Sequence, residues 1–153
     1  MNLLIEHIVD LMMKIEHLGD EMYQNLKEQA QTPELKSLFS DLAGQEQEHY
    51  RIYEELRETL LIEGLPGLSK ERQRYLDQLV KDTLLVLDSG KTINTMEEGI
   101  KHALRMEKET ILMLYELRAL IREEHYPVLD QIIEEEQKHF LWIMERAQAS
   151  PRC

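Results

Sequence analysis

The sequence predicts an all-α fold, an antiparallel four-helix bundle with one long crossover that contains a short extra helix. Three observations carry that prediction. Only six Gly and four Pro occur among 153 residues, while Leu, Glu, Lys, Gln and Met are abundant, a composition that favours long helices. Apolar residues recur in steps of three and four along four stretches, the seam of helices packed at a shallow angle. Breakers are concentrated at a few points: Thr32-Pro33, Gly64-Leu65-Pro66-Gly67, Asp88-Ser89-Gly90 and, more weakly, Glu123 to Pro127.

The first helix is predicted over residues 2–29, with Leu4, Ile8, Leu11, Ile15, Leu18, Met22 and Leu26 as its seam. Thr32 reads as an N-cap followed by proline at the first helical position, which starts a second helix over 33–63. Its seam runs Leu35, Phe39, Leu42, Glu46, His49, Tyr53, Leu56 and Leu60. An amphipathic helix over 70–87 occupies the crossover of about 64–94. Thr95 with Glu98 has the capping-box pattern and opens a helix over 95–122, with Ile100, Leu104, Glu107, Ile111 and Leu114 in step. The last helix, 126–148, runs Leu129, Ile132, Glu136, His139 and Ile143. Short links force antiparallel neighbours, whereas the 60s–90s stretch is long enough to cross the bundle. One domain over 1–148 and a flexible tail over 149–153 complete the expected organisation.

Charge and cysteine content exclude several classes. With Lys+Arg 18 against Asp+Glu 30, the net charge is −12, a field that repels phosphate backbones, so nucleic acid is not an expected partner. No apolar run approaches the roughly 18–20 residues of a membrane span, and the polar N-terminus does not read as a signal peptide. A cytoplasmic protein without membrane partners is expected. The single Cys153 closes no intrachain disulfide and builds no thiolate metal site alone.

The seams carry charges where apolar residues belong. Glu46 and His49 interrupt the second helix, Glu107 the third, and Glu136 and His139 the fourth, while Glu16 lies beside the first seam. Burying one unpaired carboxylate costs several kcal/mol, and burying four together adds like-charge repulsion. Lys and Arg are missing from these positions, apart from Arg118 further along the third helix, so the compensating cations must come from outside. Glu16 and Glu46 lie 15 residues on either side of a turn near residue 31, and Glu107 and Glu136 lie 14 or 15 from the break at 121–122. Antiparallel helices therefore bring each pair to one height. Glu46 and His49, like Glu136 and His139, are three apart on one helical face. Glu107 follows Glu16 by 91 residues, while Glu136 follows Glu46, and His139 follows His49, by 90, the mark of an internal duplication. Four carboxylates and two imidazoles select a dinuclear first-row metal centre, and a charge of −4 neutralises two divalent ions. Iron is the first choice; manganese or a mixed iron–manganese pair suits the same donors.

These segments, Glu16-His-Leu-Gly-Asp-Glu-Met-Tyr23, Glu46-Gln-Glu-His49, Met106-Glu107-Lys-Glu-Thr-Ile and Glu136-Gln-Lys-His139, resemble the rubrerythrin-like branch of the ferritin-like diiron-carboxylate superfamily. The resemblance implies that Glu16, Glu46, His49, Glu107, Glu136 and His139 ligate two irons, with two carboxylates bridging. It further implies that Tyr23 and Tyr115 hydrogen-bond to the ligand carboxylates. Three departures stand out. Rubrerythrins with a rubredoxin-type domain carry two Cys-x-x-Cys pairs that are missing here, so electrons are expected from a separate rubredoxin-like or flavoprotein donor. The extra carboxylate that rubrerythrins place three residues after the helix-three ligand is Thr110 here. The haem-binding Met that follows the helix-two Glu in bacterioferritins is Gln47, so no haem is expected.

The remaining polar residues have plainer readings. Glu97, Glu98 and Glu109 read as a solvated face or helix-start charges, and His7, His17, His102 and His125 as surface residues. Met12, Met13, Met22, Met106, Met113 and Met144 read as core filling, and Cys153 as a mobile thiol at the chain end. The functional expectation is a dinuclear-iron oxidoreductase, a homodimer, that reduces dioxygen or hydrogen peroxide. The alternatives are a ferritin-type iron oxidation and storage subunit and a metal-stabilised structural or regulatory bundle.

Overall fold

Five α-helices follow one another in the computed structural model, which describes residues 3–64 and 67–147: α1 (Leu3–Gln29), α2 (Pro33–Glu63), α3 (Lys70–Asp88), α4 (Met96–Arg118) and α5 (Tyr126–Trp142). No strand occurs among the described residues, so the protein is the all-α bundle its composition predicts. The helix starts are chemically marked. Thr32 Oγ1 accepts the Leu35 N–H at 3.2 Å, Ser69 Oγ accepts that of Arg72 at 3.1 Å, and Thr95 Oγ1 accepts that of Glu98 at 3.1 Å. Glu98 reaches back to accept the Asn94 N–H at 3.2 Å, so this residue belongs to the start of α4, as its spacing suggested. At the other end of α2, Gly64 takes φ 72°, which a side chain would resist, and its N–H closes on Leu60 O at 2.9 Å.

The bundle pairs α1 with α2 and α4 with α5, joins the halves through α1 against α4 and α2 against α5, and lays α3 across α1 and α4. The crossover helix is tied down by the fully buried Leu76, by Arg72 on Glu116 at 2.9 Å, and by the Thr83 hydroxyl donating to Glu109 at 3.1 Å. Glu109 is thus a docking partner of α3 rather than a residue of the solvated face.

Two apolar clusters fill the interior. One gathers Ile5, Ile8, Leu11, Met12, Ile15, Leu56, Leu60, Met113, Leu117, Leu129 and Ile132; the other gathers Tyr23, Leu26, Leu38, Phe39, Leu42, Ile100, Leu104 and Ile143. The first takes the beginning of α1 and the end of α2, the second the reverse, and the charged seam positions lie between them. Full burial of such side chains stabilises by about 1.5–3 kcal/mol each, which lets the bundle carry a polar layer in its middle.

Several expectations need correction. Helix α4 stops at Arg118, not at 122: Ala119 N–H still bonds Tyr115 O in the α-helical manner at 3.1 Å, but Leu120 N–H turns back to Leu117 O at 3.0 Å. The tightened turn buries Leu120 and Ile121 against the core. The helical path after Trp142 widens into a π-helical turn over Ile143–Ala147, and the expected end at 148 lies outside the described residues, as do the tail and Cys153. His125 is not a surface residue: its side chain is 16% exposed and its Nε2 lies 2.9 Å from Glu63 Oε2. His102 is half-buried. Met144 is exposed and fills no core. No described helix is long and apolar enough to cross a membrane.

Candidate metal centre

Helical phase puts five of the six residues on the seams, with Glu16 beside the first, and the fold brings all six together. Glu16 comes from α1, Glu46 and His49 from α2, Glu107 from α4, and Glu136 and His139 from α5; all six are buried. They form two overlapping groups. Donor atoms of Glu16, Glu46, His49 and Glu136 lie within 4.8 Å of one another, and so do those of Glu46, Glu107, Glu136 and His139. Glu46 and Glu136 therefore belong to both. Glu136 sits at the midpoint: its Oε1 lies 2.8 Å from His49 Nδ1 and its Oε2 lies 3.0 Å from His139 Nδ1. The two imidazoles stack with centroids 5.9 Å apart.

The outward nitrogens are held in a crossed pattern that sequence reasoning missed. His49 Nε2 lies 2.6 Å from Glu135 Oε2 on α5, while His139 Nε2 pairs with Gln45 Oε1 on α2. Both acceptors are oxygens, so each ring carries its proton on Nε2 and turns the Nδ1 lone pair toward the carboxylates when neutral. The signal was present in the sequence, because Gln45 and Glu135 are separated by the same 90 residues as the duplicated Glu and His residues.

Of the two tyrosines, only Tyr23 reaches the cluster; it is buried and donates to Glu107 Oε1. Tyr115 is 52% exposed and takes a hydrogen bond from Gln137 at 3.4 Å, so the structure does not place it on one of the clustered carboxylates. Tyr53, which reads in the sequence as one more seam residue, is fully buried with its hydroxyl unpartnered. Thr110 turns its hydroxyl onto Met106 O at 2.9 Å, and Gln47 donates to Asp20 at 3.1 Å on the surface.

The electrostatics are those of a carboxylate cluster with no lysine or arginine to balance it. Among the described residues no Lys or Arg is buried, and Arg118 is spent on Asp130 at 2.6 Å. Burial and the charge of Glu136 push the Glu16 and Glu46 carboxyls well above the usual range and Glu107 up to about 8. Glu136 behaves oppositely: burial opposes its ionisation, but Glu107, His139 and His49 against it hold it well below the usual value. Burial likewise opposes protonation of the imidazoles, yet Glu136 and Glu135 raise His49 to about 9, and Glu107, Glu136 and Glu46 raise His139 to about 12. Without metal, bound protons thus offset the carboxylate charge.

The donor set fits a metal pair. Both oxygens of Glu16, Oε1 of Glu46 and Oε2 of Glu107 are buried with no hydrogen-bond partner. Orphaned buried carboxylate oxygens cost too much to be left without use, and four of them beside two oriented imidazole nitrogens are hard-to-borderline donors suited to first-row ions.

Local backbone shape protects this arrangement. A Cβ built on Gly19 would lie 2.9 Å from Glu46 Oε2, whereas one on Gly44 would meet nothing within 4 Å. Gly19→Ala is therefore expected to displace Glu46 and weaken metal uptake about tenfold or more. Gly44→Ala should stabilise α2 by roughly 0.5–1 kcal/mol and leave uptake unchanged. Urea unfolding and metal content of the two variants check this, and equal uptake in both would contradict it.

A helical bundle with paired Glu-x-x-His helices converging on shared carboxylates is the architecture of the ferritin-like carboxylate proteins. A family model described as Rubrerythrin matches residues 8–143, and the chain belongs to that family. No curated protein matches the chain significantly, and no solved structure does either.

Proposed function

We propose that this chain is a dinuclear-iron oxidoreductase that reduces dioxygen or hydrogen peroxide with electrons from a separate donor. One observation carries the reading: Glu136 presents one oxygen to each histidine, so the two groups of donors share a bridge-ready carboxylate. Glu16, Glu46, His49 and Glu136 would hold one iron, and Glu46, Glu107, Glu136 and His139 the other. Two adjacent ferrous ions supply two electrons together, which allows peroxide reduction without release of a one-electron radical.

The protein's own groups hold and orient. Glu135 and Gln45 lock the imidazole rings, and the Tyr23 hydroxyl supplies a proton to the Glu107 Oε1 hydrogen bond. A cleft of about 150 Å³ between α1 and α2, lined by Glu16, His17, Asp20, Glu46, Gln47 and Tyr50, reaches the cluster from the surface. Its acidic lining attracts cations, and its volume admits a molecule the size of dioxygen or hydrogen peroxide. Away from it, the two apolar clusters keep bulk water from the centre. The sequence holds one cysteine, Cys153, so no thiolate iron centre for electron supply lies within it. A rubredoxin-like or flavoprotein donor and a homodimer of bundles complete the proposal, in the cytoplasm.

The test is metal analysis of protein purified without chelator, followed by anaerobic loading with ferrous ion and addition of peroxide or dioxygen. About two irons per chain and rapid appearance of ferric absorption are expected, with a solution mass near that of a dimer. Iron that accumulates to many ions per chain in a large shell would replace this reading by storage. Absence of oxidation in the loaded protein would leave a metal-stabilised bundle.

A further inference from the structure

Two departures from the duplication that builds the centre bear on it through hydrogen bonds to its imidazoles and carboxylates. Position 45 on α2 is Gln where its counterpart 90 residues on, 135, is Glu. Because the contacts cross, the His49 imidazole is backed by a carboxylate and the His139 imidazole by an amide. Glu135 is itself oriented: its other oxygen accepts from Gln131 Nε2 at 3.1 Å. The second departure is at the tyrosine. Tyr23 lies seven residues after Glu16, whereas seven after Glu107 is the fully buried Leu114. Tyr23 donates across the bundle to Glu107, while Glu16 has no hydrogen-bond partner on either oxygen.

We infer that the two metal positions are built unequal, with the Glu16–His49 position binding a divalent ion more tightly than the Glu107–His139 position, and that Glu135 and Gln45 set the difference. This rests on the dinuclear reading above. The physical reason is electron supply. A carboxylate accepting the Nε2–H bond makes an imidazole a stronger donor at Nδ1 than an amide does. A phenol donating to a carboxylate withdraws density from it, so Glu107 is the weaker ligand and the unencumbered Glu16 the stronger. The shared Glu46 and Glu136 contribute to both positions and cannot create the difference. Both departures act in one direction, and neither follows from the helical seam, which requires only that these positions face inward.

Manganous ion under anaerobic conditions is the probe, with free ion counted by its paramagnetic resonance signal and enthalpy followed by calorimetry. The unmodified chain should take up two ions in two steps whose dissociation constants differ at least tenfold. Glu16→Gln should remove the tight step and Glu107→Gln the weak one. Glu135→Gln should weaken the tight step ten- to a hundredfold and close the gap. The exchange variant Gln45→Glu with Glu135→Gln keeps charge and composition and should reverse the order of filling. Circular dichroism checks that each variant keeps its helices; if Glu135→Gln does not fold, the exchange variant decides alone. A single step in the unmodified chain, or equal weakening of both steps by Glu135→Gln, overturns the inequality while leaving the dinuclear reading intact. No uptake of manganous ion, with ferrous ion also refused, would overturn both.

Discussion

Glu136→Gln is expected to abolish binding of a metal pair and to destabilise the metal-free protein by about 3–5 kcal/mol, whereas Glu46→Gln should abolish the pair at almost no cost to the metal-free fold. The contrast comes from protonation. Glu136 is the ionised member of the cluster, with one oxygen on each histidine. A glutamine there offers its carbonyl to one ring and an amide N–H to the other, leaving a buried imidazolium facing a donor. Glu46 is buried, and burial and the charge of Glu136 favour its protonated form, whose shape glutamine reproduces. Metal sees no such distinction, because either change removes a charge and a donor shared by both groups. Urea unfolding without metal and metal stoichiometry after loading make the measurement, with circular dichroism as the fold control. Equal destabilisation by both variants, or full loading of either, would refute this account of the centre.

The metal-free protein is also expected to lose several kcal/mol of stability between pH 5 and pH 8, and bound metal should reverse the trend. Glu16, Glu46 and Glu107 have folded-state pKa values raised above the unfolded value near 4.3, Glu107 to about 8. Across that window the folded chain keeps protons that the unfolded chain has released, so the stabilisation present below pH 4.3 is lost as pH rises. His49 and His139, raised from 6.5 to about 9 and about 12, act with the same sign above pH 6.5. Glu136 and Glu135 are lowered and act oppositely; their contribution is present above pH 4.3 and is lost as pH falls. The maximum therefore lies near pH 5. Each proton of difference is worth roughly 1 kcal/mol per pH unit, so a fall of roughly 10 °C in the unfolding midpoint by pH 8 is the expected scale. Metal replaces those protons and binds only the folded arrangement, so it should raise the midpoint more at pH 8 than at pH 5. Thermal unfolding with and without manganous ion checks this. The downward trend should persist when both histidines are changed to Gln, since the carboxyls supply most of it below pH 7. A metal effect as large at pH 5 as at pH 8 would contradict the buried-carboxyl explanation.

What could be read from residues alone was what periodicity carries. The apolar step pattern through Leu42, Glu46, His49 and Tyr53 places those side chains on one face whatever the neighbours are, so burial of the charged residues followed directly from phase. The 90-residue repeat and the matched distances from the turns put all six on one level, because antiparallel helices preserve height. The stop at Arg118 was not legible, because neither Gly nor Pro marks it; the helix ends where burial of Leu120 and Ile121 outweighs another turn. Tyr115 illustrates the limit of family resemblance, since one residue is 100° of helix rotation, and at 115 that rotation carries the ring outside while Leu114 takes the interior.

The all-α bundle, the burial of Glu46, His49, Glu107, Glu136 and His139, and the shortage of internal lysine and arginine follow from composition and helical phase, and the placing of Glu16 beside its seam from the same phase. Which nitrogen of each histidine faces the carboxylates, the place of Glu136 between them, and the reach of Gln45 and Glu135 to the opposite helix come from the packed bundle. Those are relations between side chains on different helices. They depend on axial rotation and separation to within an ångström, which a seam of interchangeable apolar residues does not encode locally and which packing of the whole bundle sets.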